Sequence, residues 1–179
     1  LEADTKLVLY LLKHRHTSPF EMVGFTFRIY APNVVWWQWT RHRTMSYNLQ
    51  SGRYTPTKED DFYTPTEWRK QSVSNKQGSD GLIENDSDLT DMLYEHQLVS
   101  FRLYENALSR GVAKEQARLY LPSFSLYTMG IVDVDLHNLM GFLRQRMADD
   151  AQYEIRQYAN AIGELIKPYI PNVWQWFIN

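Results

Sequence analysis

Residues 41–54 read Arg-His-Arg-Thr-Met-Ser-Tyr-Asn-Leu-Gln-Ser-Gly-Arg-Tyr, so three arginines and a histidine fall within one short stretch. Guanidinium groups bind phosphate and carboxylate oxygens through paired hydrogen bonds, and their burial without such a partner is costly. The Ser51-Gly52-Arg53 portion adds a hydroxyl and a glycine that lets backbone N–H groups approach an anion. The stretch therefore predicts a site for a multiply charged anion. A solvated basic surface is the alternative.

Three other segments accompany this stretch in a fixed order. His16-Thr17-Ser18-Pro19-Phe20-Glu21 precedes it, Ala117-Arg118 with Leu121-Pro122 follows it, and Ala151-Gln152-Tyr153-Glu154-Ile155-Arg156 lies further along the chain. Together with Arg-His-Arg, seven residues and Ser-Gly-Arg-Tyr, they resemble the signature of flavin-dependent thymidylate synthases. The resemblance covers nearly all of residues 14–162, apart from a divergent middle.

The resemblance implies an activity, a cofactor and an assembly. The activity is the reductive methylation of dUMP to dTMP, with 5,10-methylenetetrahydrofolate as the one-carbon donor, FAD as the hydride relay and NADPH as the reductant. The assembly is a homotetramer in which the flavin is bound between subunits. In such an enzyme the cofactor carries the redox chemistry, and the protein supplies orientation and charge.

The resemblance also assigns roles to the residues that match its motifs. Contacts to FAD are expected from Ser18, Arg41, His42, Arg43 and His137. Contacts to dUMP are expected from Gln38, Gln50, Ser51, Gly52, Arg53, Arg118 and Arg146. In this assignment Ser51 and the backbone amides after it bind the phosphate. Four places depart from the family pattern. Met22 and Asp150 replace polar residues, Leu49 replaces an acid or amide whose role Gln50 is expected to take over in part, and Asp135-Leu136-His137 stands where the family has Asn-x-Arg.

Arg146 is the residue expected to act on the uracil ring. A guanidinium held against the pyrimidine imide stabilises negative charge that develops there, and this makes a ring carbon more nucleophilic without a covalent bond to the protein. Two alternatives remain. An arginine at the C-terminal end of a helix also complements the helix dipole. Ser51 is a less favoured candidate for a nucleophile, because no His–Asp pair is visible to activate its hydroxyl.

Composition excludes several function classes. The chain has 179 residues, a formal net charge of −2 and no cysteine, so it cannot attack a pyrimidine with a thiolate. Its five histidines show no compact spacing with acids, so no metal site is predicted. The near-zero net charge argues against a general nucleic-acid binder. No apolar run reaches the roughly 18 residues of a membrane span, and no secretory signal pattern is visible, so a cytosolic location is expected.

The pattern of apolar residues predicts a single α+β domain over residues 1–179, with a mixed or antiparallel sheet and several helices. Between residues 22 and 30 the apolar residues Val23, Phe25, Phe27 and Ile29 alternate with Gly24, Thr26 and Arg28 and predict a strand. The other predicted elements are helices at 7–14, 34–43, 88–110, 114–119, 136–146 and 149–167, a strand at 124–134, and a long surface loop at 55–87. The chain begins at Leu1 inside a predicted helix, so an N-terminal segment is expected to be missing.

A different function class rests on the aromatic residues beside Arg41, His42 and Arg43. Trp36, Trp37 and Trp39 together with these cations, the cluster 36–43, have the composition of a platform for single-stranded nucleic acid. Tryptophan clusters more often form core, and a mixture of packing and shielding is expected here. A non-enzymatic nucleotide-binding or nucleic-acid-binding module is therefore the alternative to the enzyme.

Overall fold

The structure is a computed structural model that describes residues 2–84 and 87–178. The helices and strands of these residues follow in the order α1 (Glu2–Lys13), α2 (Ser18–Glu21), β1 (Gly24–Pro32), α3 (Asn33–Trp39), β2 (Ser46–Leu49), β3 (Arg69–Gln71), β4 (Ser79–Leu82), α4 (Ser87–Ser109), α5 (Lys114–Ala117), β5 (Tyr127–Asp135), α6 (Leu136–Arg146), α7 (Tyr153–Ile166) and α8 (Pro171–Ile178). The predicted α+β class is confirmed. None of these helices is long and apolar enough to cross a membrane.

Three strands form one sheet in the order β1-β5-β2. The pairing of β1 with β5 is antiparallel, because the N–H of Leu136 donates to the carbonyl of Val23 at 2.7 Å, and that of Asn33 donates to Leu126 at 2.9 Å. Along β1, Ile29 is buried while Thr26 and its other polar neighbours are exposed. The predicted alternation of a half-buried strand is therefore confirmed.

By its internal contacts the chain divides into two compact units. Unit 1 consists of Leu1–Phe27, Thr40–Ser46 and Val132–Asn179, and unit 2 consists of Arg28–Trp39 and Tyr47–Ile131. The expectation of one domain over the whole chain stays a prediction. In unit 1 the core lies along α6 and α7, where the side chains that are at most 2% exposed are Leu139, Phe142, Leu143, Ile155, Ala159 and Ile166.

The core of unit 2 is organised around two of the three clustered tryptophans. Trp36 and Trp39 are buried with their ring centroids 5.5 Å apart, and Nε1 of Trp36 donates to the carbonyl of Thr128 at 2.9 Å. Trp37, by contrast, is 66% exposed. Two of the three rings therefore pack and one does not. The expected packing is confirmed, and the expected shielding of residues 41–43 stays a prediction.

Helix α3 is shorter than the pattern predicts. It ends at Trp39, whereas a helix to Arg43 was predicted, so Arg41, His42 and Arg43 lie in a turn after the helix. The hydroxyl of Tyr47 donates to the carbonyl of Trp39 at 2.8 Å. A side chain thus satisfies a terminal carbonyl of the helix, and the helix does not need another turn to do so.

The predicted surface loop at 55–87 contains structure of its own. Its strands β3 and β4 form an antiparallel hairpin, and Phe62 pairs with Leu126 and packs against a buried cluster that includes Phe101 and Tyr104. The two strands are short and mostly polar, so period-2 alternation could not reveal them. Residues 85 and 86 of the predicted loop lie outside the described residues.

Helix α4 has nearly the predicted bounds but buries a different face. Its buried residues are Gln97, Ser100, Phe101, Tyr104 and Ala107. Helical spacing in the sequence predicts the stripe Leu89, Met92, Leu93, His96, Val99, Leu103 and Ala107. Ala107 is common to both sets, whereas Met92, Val99 and Leu103 are about half exposed or more. Gly111 ends the helix with a φ of +83°, as expected for a glycine stop. Large aromatic side chains have therefore decided which face packs.

Candidate functional site

The Arg-His-Arg turn lies in unit 1 between α3 and β2. Arg41 and Arg43 are exposed, and His42 between them is partly buried. Buried Met45 follows the turn. The two arginines adjacent to His42 in sequence are therefore accessible to an anionic ligand from solvent.

His42 is bonded to Arg146, the residue predicted to act on uracil. Nε of Arg146 donates to Nε2 of His42 at 3.0 Å. The imidazole also meets the ring of Phe142 edge-on, with the centroids 4.9 Å apart. Phe142 and Arg146 are four residues apart on α6 and therefore lie on one face of the helix. One helix face thus supplies both the bond and the ring contact described here.

The electrostatics of this pair follow from burial and from charge. Burial lowers the pKa of His42 below its usual 6.5, and the positive charge of Arg146 lowers that pKa further. Burial also lowers the pKa of Arg146, although a guanidinium remains protonated in any case. A neutral histidine beside a charged arginine is therefore the stable protonation state.

A cleft of about 730 Å³ lies within unit 1, between the end of α1, α2, α6 and α8. Its described lining is cationic and contains no carboxylate: Leu11, Leu12, Lys13, Arg15, His16, Thr17, Phe20, Leu136, His137, Asn138, Met140, Gly141, Arg144, Val173 and Trp176. A concave surface with several cations and two large aromatic rings suits an anionic ligand that carries aromatic groups.

Arg15 has the least usual backbone in this cleft. Its φ of +56° lies in the left-handed region, where it ends helix α1, with Arg15 N–H donating to Leu12 and His16 N–H donating to Leu11. Glycine is the residue that normally occupies such a position, because a Cβ there costs roughly 1–2 kcal/mol. A cationic side chain thus stands where the fold favours a glycine.

The cleft contains one residue that was predicted to bind the cofactor, His137, and Ser18 follows Thr17 of its lining. Arg41, His42 and Arg43 are not among its described lining residues. Sequence reasoning missed Lys13, Arg15, His16 and Arg144. For the first three, the available signal was the run of basic residues 13–16 across the predicted end of the first helix.

Asp135 accounts for the departure from the family pattern near His137. Its Oδ1 accepts a bond from the backbone N–H of Asn138 at 2.9 Å, and its Oδ2 accepts one from the Asn138 side chain at 2.6 Å. The carboxylate is therefore the N-cap of α6. Both of its oxygens are engaged in starting the helix.

In unit 2 the predicted substrate residue Gln38 has an unsatisfied polar atom. Its Oε1 is buried and has no hydrogen-bond partner among the described residues. A buried acceptor without a partner costs roughly 1–3 kcal/mol, so such atoms mark places where a ligand or a water supplies the donor. Gln38 is thus suited to accept a hydrogen bond from an N–H group of a ligand.

The Gln50–Arg53 loop follows strand β2. The Gln50 N–H donates to the carbonyl of Met129 at 2.8 Å, which ties the loop to β5, and Nε2 of Gln50 donates to the hydroxyl of Thr55 at 3.1 Å. The hydroxyl of Ser51 accepts a bond from the N–H of Arg53 at 3.3 Å, and the Arg53 side chain is exposed. The loop is therefore held to β5 through its backbone and internally by two side chains, and the Arg53 guanidinium lies over the ring of Tyr54, 5.8 Å from its centroid.

Arg118 forms the start of a short 3-10 turn after α5. Its side chain is exposed, and its Nε donates to the carbonyl of Glu115 at 3.2 Å. This contact is typical of an arginine near a helix end. Arg118 and the loop belong to the same unit as Gln38.

The predicted residues therefore form two groups, each described within its own unit. Unit 1 contains Ser18, Arg41, His42, Arg43, His137 and Arg146, and unit 2 contains Gln38, Gln50, Ser51, Gly52, Arg53 and Arg118. Across residues 2–84 and 87–178 no three His, Cys, Asp or Glu side chains come together as a metal site.

Comparison with known proteins gives a consistent picture. The profile of a family described as "Thymidylate synthase complementing protein" matches residues 1–172. A flavin-dependent thymidylate synthase from Thermus thermophilus is 48% identical over 174 residues, which cover 97% of this chain and 63% of the relative. One from Dictyostelium discoideum is 42% identical over 183 residues, which cover 98% of this chain and 58% of that protein. The chain thus spans about three fifths of these relatives.

A solved structure shows the same fold. The UMP/dUMP methylase PolB from Streptomyces cacaoi, crystallised with 5-Br UMP, superposes with a TM-score of 0.90 at 28% identity, over 99% of this chain and 83% of that one. The same protein bound with 5-Br dUMP gives a TM-score of 0.88.

Proposed function

The chain belongs to the family of flavin-dependent thymidylate synthases, and on this basis we propose that it catalyses the flavin-dependent methylation of dUMP to dTMP. The family match and the names of the relatives support the reaction class. The observation that carries the proposal in the structure is the cationic cleft of unit 1, whose described lining contains no acid. We further propose FAD as the flavin, NADPH and 5,10-methylenetetrahydrofolate as co-substrates, a homotetramer that binds flavin between subunits, and a cytosolic location.

The residues present fit a flavin dinucleotide. The cations Lys13, Arg15 and Arg144 suit its two phosphates, and Phe20 and Trp176 offer apolar surface to an aromatic ring. His137 lies in the same lining and Ser18 beside it. We assign the exposed Arg41 and Arg43 to the same cofactor. When bound, the flavin supplies the transfer of reducing equivalents.

In unit 2 the residues suit a nucleoside monophosphate. The buried and unsatisfied Oε1 of Gln38 accepts an N–H group of the base. Ser51 with the amides of Gly52 and Arg53 binds the phosphate, which replaces the Ser51 hydroxyl as the acceptor of the Arg53 N–H. Gln50 holds the loop to β5, and Arg118 adds an exposed cation. Hydrogen bonds to a charged phosphate are worth roughly 1.5–3 kcal/mol each.

Arg146 acts on the pyrimidine in this proposal. Its guanidinium stabilises negative charge at the imide, and this raises the nucleophilicity of the ring carbon that receives the one-carbon unit. The residues of this chain include no cysteine, which supports activation without a thiolate adduct. The activation is therefore electrostatic.

The first experiment tests for the cofactor. Purified protein should be yellow, denaturation should release FAD, and the holoenzyme should form dTMP only when dUMP, the folate and NADPH are all present. Arg41→Ala and Arg43→Ala should lose most of the flavin. Arg102→Ala removes an exposed arginine of α4 outside both groups, so it should retain the flavin. Equal flavin content in all of these variants would contradict the assignment.

Arg15 offers a test of the cleft that separates ligand loss from unfolding. Arg15→Gly removes a cation from the cleft and relieves the left-handed backbone at the same position. The free energy of unfolding of the variant should rise by about 1 kcal/mol, and its unfolding temperature should rise with it. In a titration of the flavin-free protein the variant should bind FAD more weakly. Unchanged FAD affinity would remove this cleft from the proposal.

The nucleic-acid module is the second candidate, and the structure offers it little support. Trp36 and Trp39 are buried, which leaves Trp37 exposed with Phe124 at a centroid distance of 5.1 Å. A stacking platform needs several exposed rings along a basic groove. A colourless protein that takes up no FAD and binds oligonucleotides with a steep salt dependence would establish this candidate instead.

A further inference from the structure

The bond between Arg146 and His42 specifies a protonation state for the imidazole. Nε of Arg146 can only donate, so Nε2 of His42, 3.0 Å away, must carry a lone pair. The histidine is therefore neutral and has its proton on Nδ1. The bond uses the Nε of Arg146, so the N–H donors of its two terminal nitrogens remain for a ligand.

We propose that His42 is a positioning residue for Arg146, and that protonation of His42 releases the guanidinium and stops turnover. This inference rests on the proposed function, because it assumes that Arg146 acts on the pyrimidine. His42 is also assigned a contact to the cofactor. The role proposed here is an additional one and is exerted through Arg146. His42 itself need not touch the substrate for this role.

The packing around His42 explains why it can hold another side chain in place. Its ring meets Phe142 edge-on at 4.9 Å, and Phe142 is 1% exposed. Because Phe142 is fixed in the core of unit 1, the imidazole stands on a rigid support. Arg146 lies in the last turn of the same helix as Phe142. It therefore bonds to an imidazole that Phe142 holds in place.

The charges around His42 favour the neutral imidazole, which is the form that accepts the bond from Arg146. Arg146 faces it from α6, and Arg41 and Arg43 flank it on its own segment, so each of these neighbours is a cation. Burial and the charge of Arg146 both lower the pKa of His42. A protonated His42 would lose its acceptor and would repel Arg146. The pair is therefore intact at neutral pH and is lost on acidification.

The first test examines the pair without reference to catalysis. In holoenzyme labelled with ¹⁵N-histidine, Nε2 of His42 should have the chemical shift of an unprotonated ring nitrogen at neutral pH and should titrate below the ordinary histidine range. In Arg146→Ala, retaining its flavin, the pKa of His42 should rise towards that range. A protonated Nε2 at neutral pH, or a titration unaffected by Arg146→Ala, would overturn the inference.

The second test separates positioning from a merely structural role. His42→Gln keeps an acceptor oxygen but cannot titrate in this range, so the variant should retain part of the turnover and lose the acid limb of the kcat–pH profile. His42→Phe keeps a ring without an acceptor and should lower kcat about ten- to a hundredfold at every pH. Flavin content, read from absorbance, corrects each value for cofactor loss.

His96→Gln is the matched control, because His96 is an exposed histidine of α4 in the other unit, and its profile should match the parent. An acid limb that persists in His42→Gln would overturn the positioning role. If the holoenzyme forms no dTMP at all, the proposed function fails, and the ¹⁵N titration still decides whether His42 and Arg146 are coupled.

Discussion

Residues 41–46 and residues 47–53 are continuous in sequence, but they belong to different compact units, and their polar groups are held in different ways. In the first half His42 is paired with Arg146, 104 residues further along the chain. In the second half the contacts are mostly local, as between Ser51 and Arg53. The first half therefore depends on a distant helix for its chemistry, whereas the second half depends on its own backbone and on the sheet.

The largest expected effect in the first half is on turnover. Arg146→Ala should lower the kcat for dTMP formation about 10²–10³-fold, because it removes the donor to the developing charge, while the flavin remains bound. Steady-state kinetics with the flavin content measured in the same sample provides the check. Near-normal methylation would show that Arg146 does not act on the pyrimidine and only complements the dipole at the C-terminal end of its helix.

The largest expected effect in the second half is on stability. A Cβ at Gly130 would lie 2.5 Å from Cη2 of Trp36 and 2.6 Å from Cδ2 of Leu49, at the end of β2. Gly130→Ala should therefore destabilise the protein by about 1–3 kcal/mol in urea unfolding, and it should weaken dUMP binding while the ¹⁵N signal of His42 stays unchanged. A change in the His42 signal in Gly130→Ala would show that residues 41–46 and residues 47–53 do not behave independently.

Gly141→Ala is the matched control for this substitution. Gly141 lies within α6 and has nothing within 4 Å of an added Cβ. The same change should there raise stability by about 0.5–1 kcal/mol, because alanine favours a helix more than glycine does. Destabilisation of both variants to the same extent would show that the contact with Trp36 is not the cause.

A smaller effect is expected for the hydroxyl of the loop. Ser51→Ala should weaken dUMP binding about ten- to a hundredfold, which corresponds to the loss of one hydrogen bond to a charged phosphate. It should change stability by less than about 0.5 kcal/mol, since Ser51 is not in the core. Isothermal titration with dUMP and urea unfolding separate the two quantities. A variant that binds dUMP as tightly as the parent would remove Ser51 from the phosphate site.

The smallest effect concerns stability against pH. The folded-state pKa of His42 lies below its usual 6.5, so between these two values the unfolded chain binds a proton that the folded chain does not. Stability from this group is present above about pH 6.5 and is lost as the pH falls to the folded-state pKa. In Arg146→Ala the folded-state pKa of His42 should lie closer to 6.5, because the charge of Arg146 no longer lowers it. The pH range over which stability is lost should therefore be narrower. Urea unfolding at several pH values measures it.

Local pattern was sufficient for the elements whose residues interact mainly with each other. The predicted helix at 136–146 coincides with α6, because Asp135 caps it and its apolar residues keep helical spacing. Strand β1 was found from its alternation, and the end of α4 from Gly111. The family was likewise readable from motifs in order, whereas the roles of the individual site residues stay predictions.

Other features depended on partners that are distant in sequence. Which face of α4 is buried depends on the packing of Phe62 against the cluster that contains Phe101 and Tyr104. The hairpin of β3 and β4 depends on pairing between two polar segments. Neither has a periodic signal in the chain. Local pattern therefore identified that an element exists more reliably than which of its faces is buried.

The sequence by itself determined that residues 41–53 are rich in groups that bind anions, and it placed them in a family. Only the tertiary structure decided that His42 accepts a bond from Arg146 and that Arg15 and Arg144 line one cleft. The physical reason is that the residue type dictates which charges and hydrogen bonds are possible. Which of them form depends on distances set by packing between segments far apart in the chain.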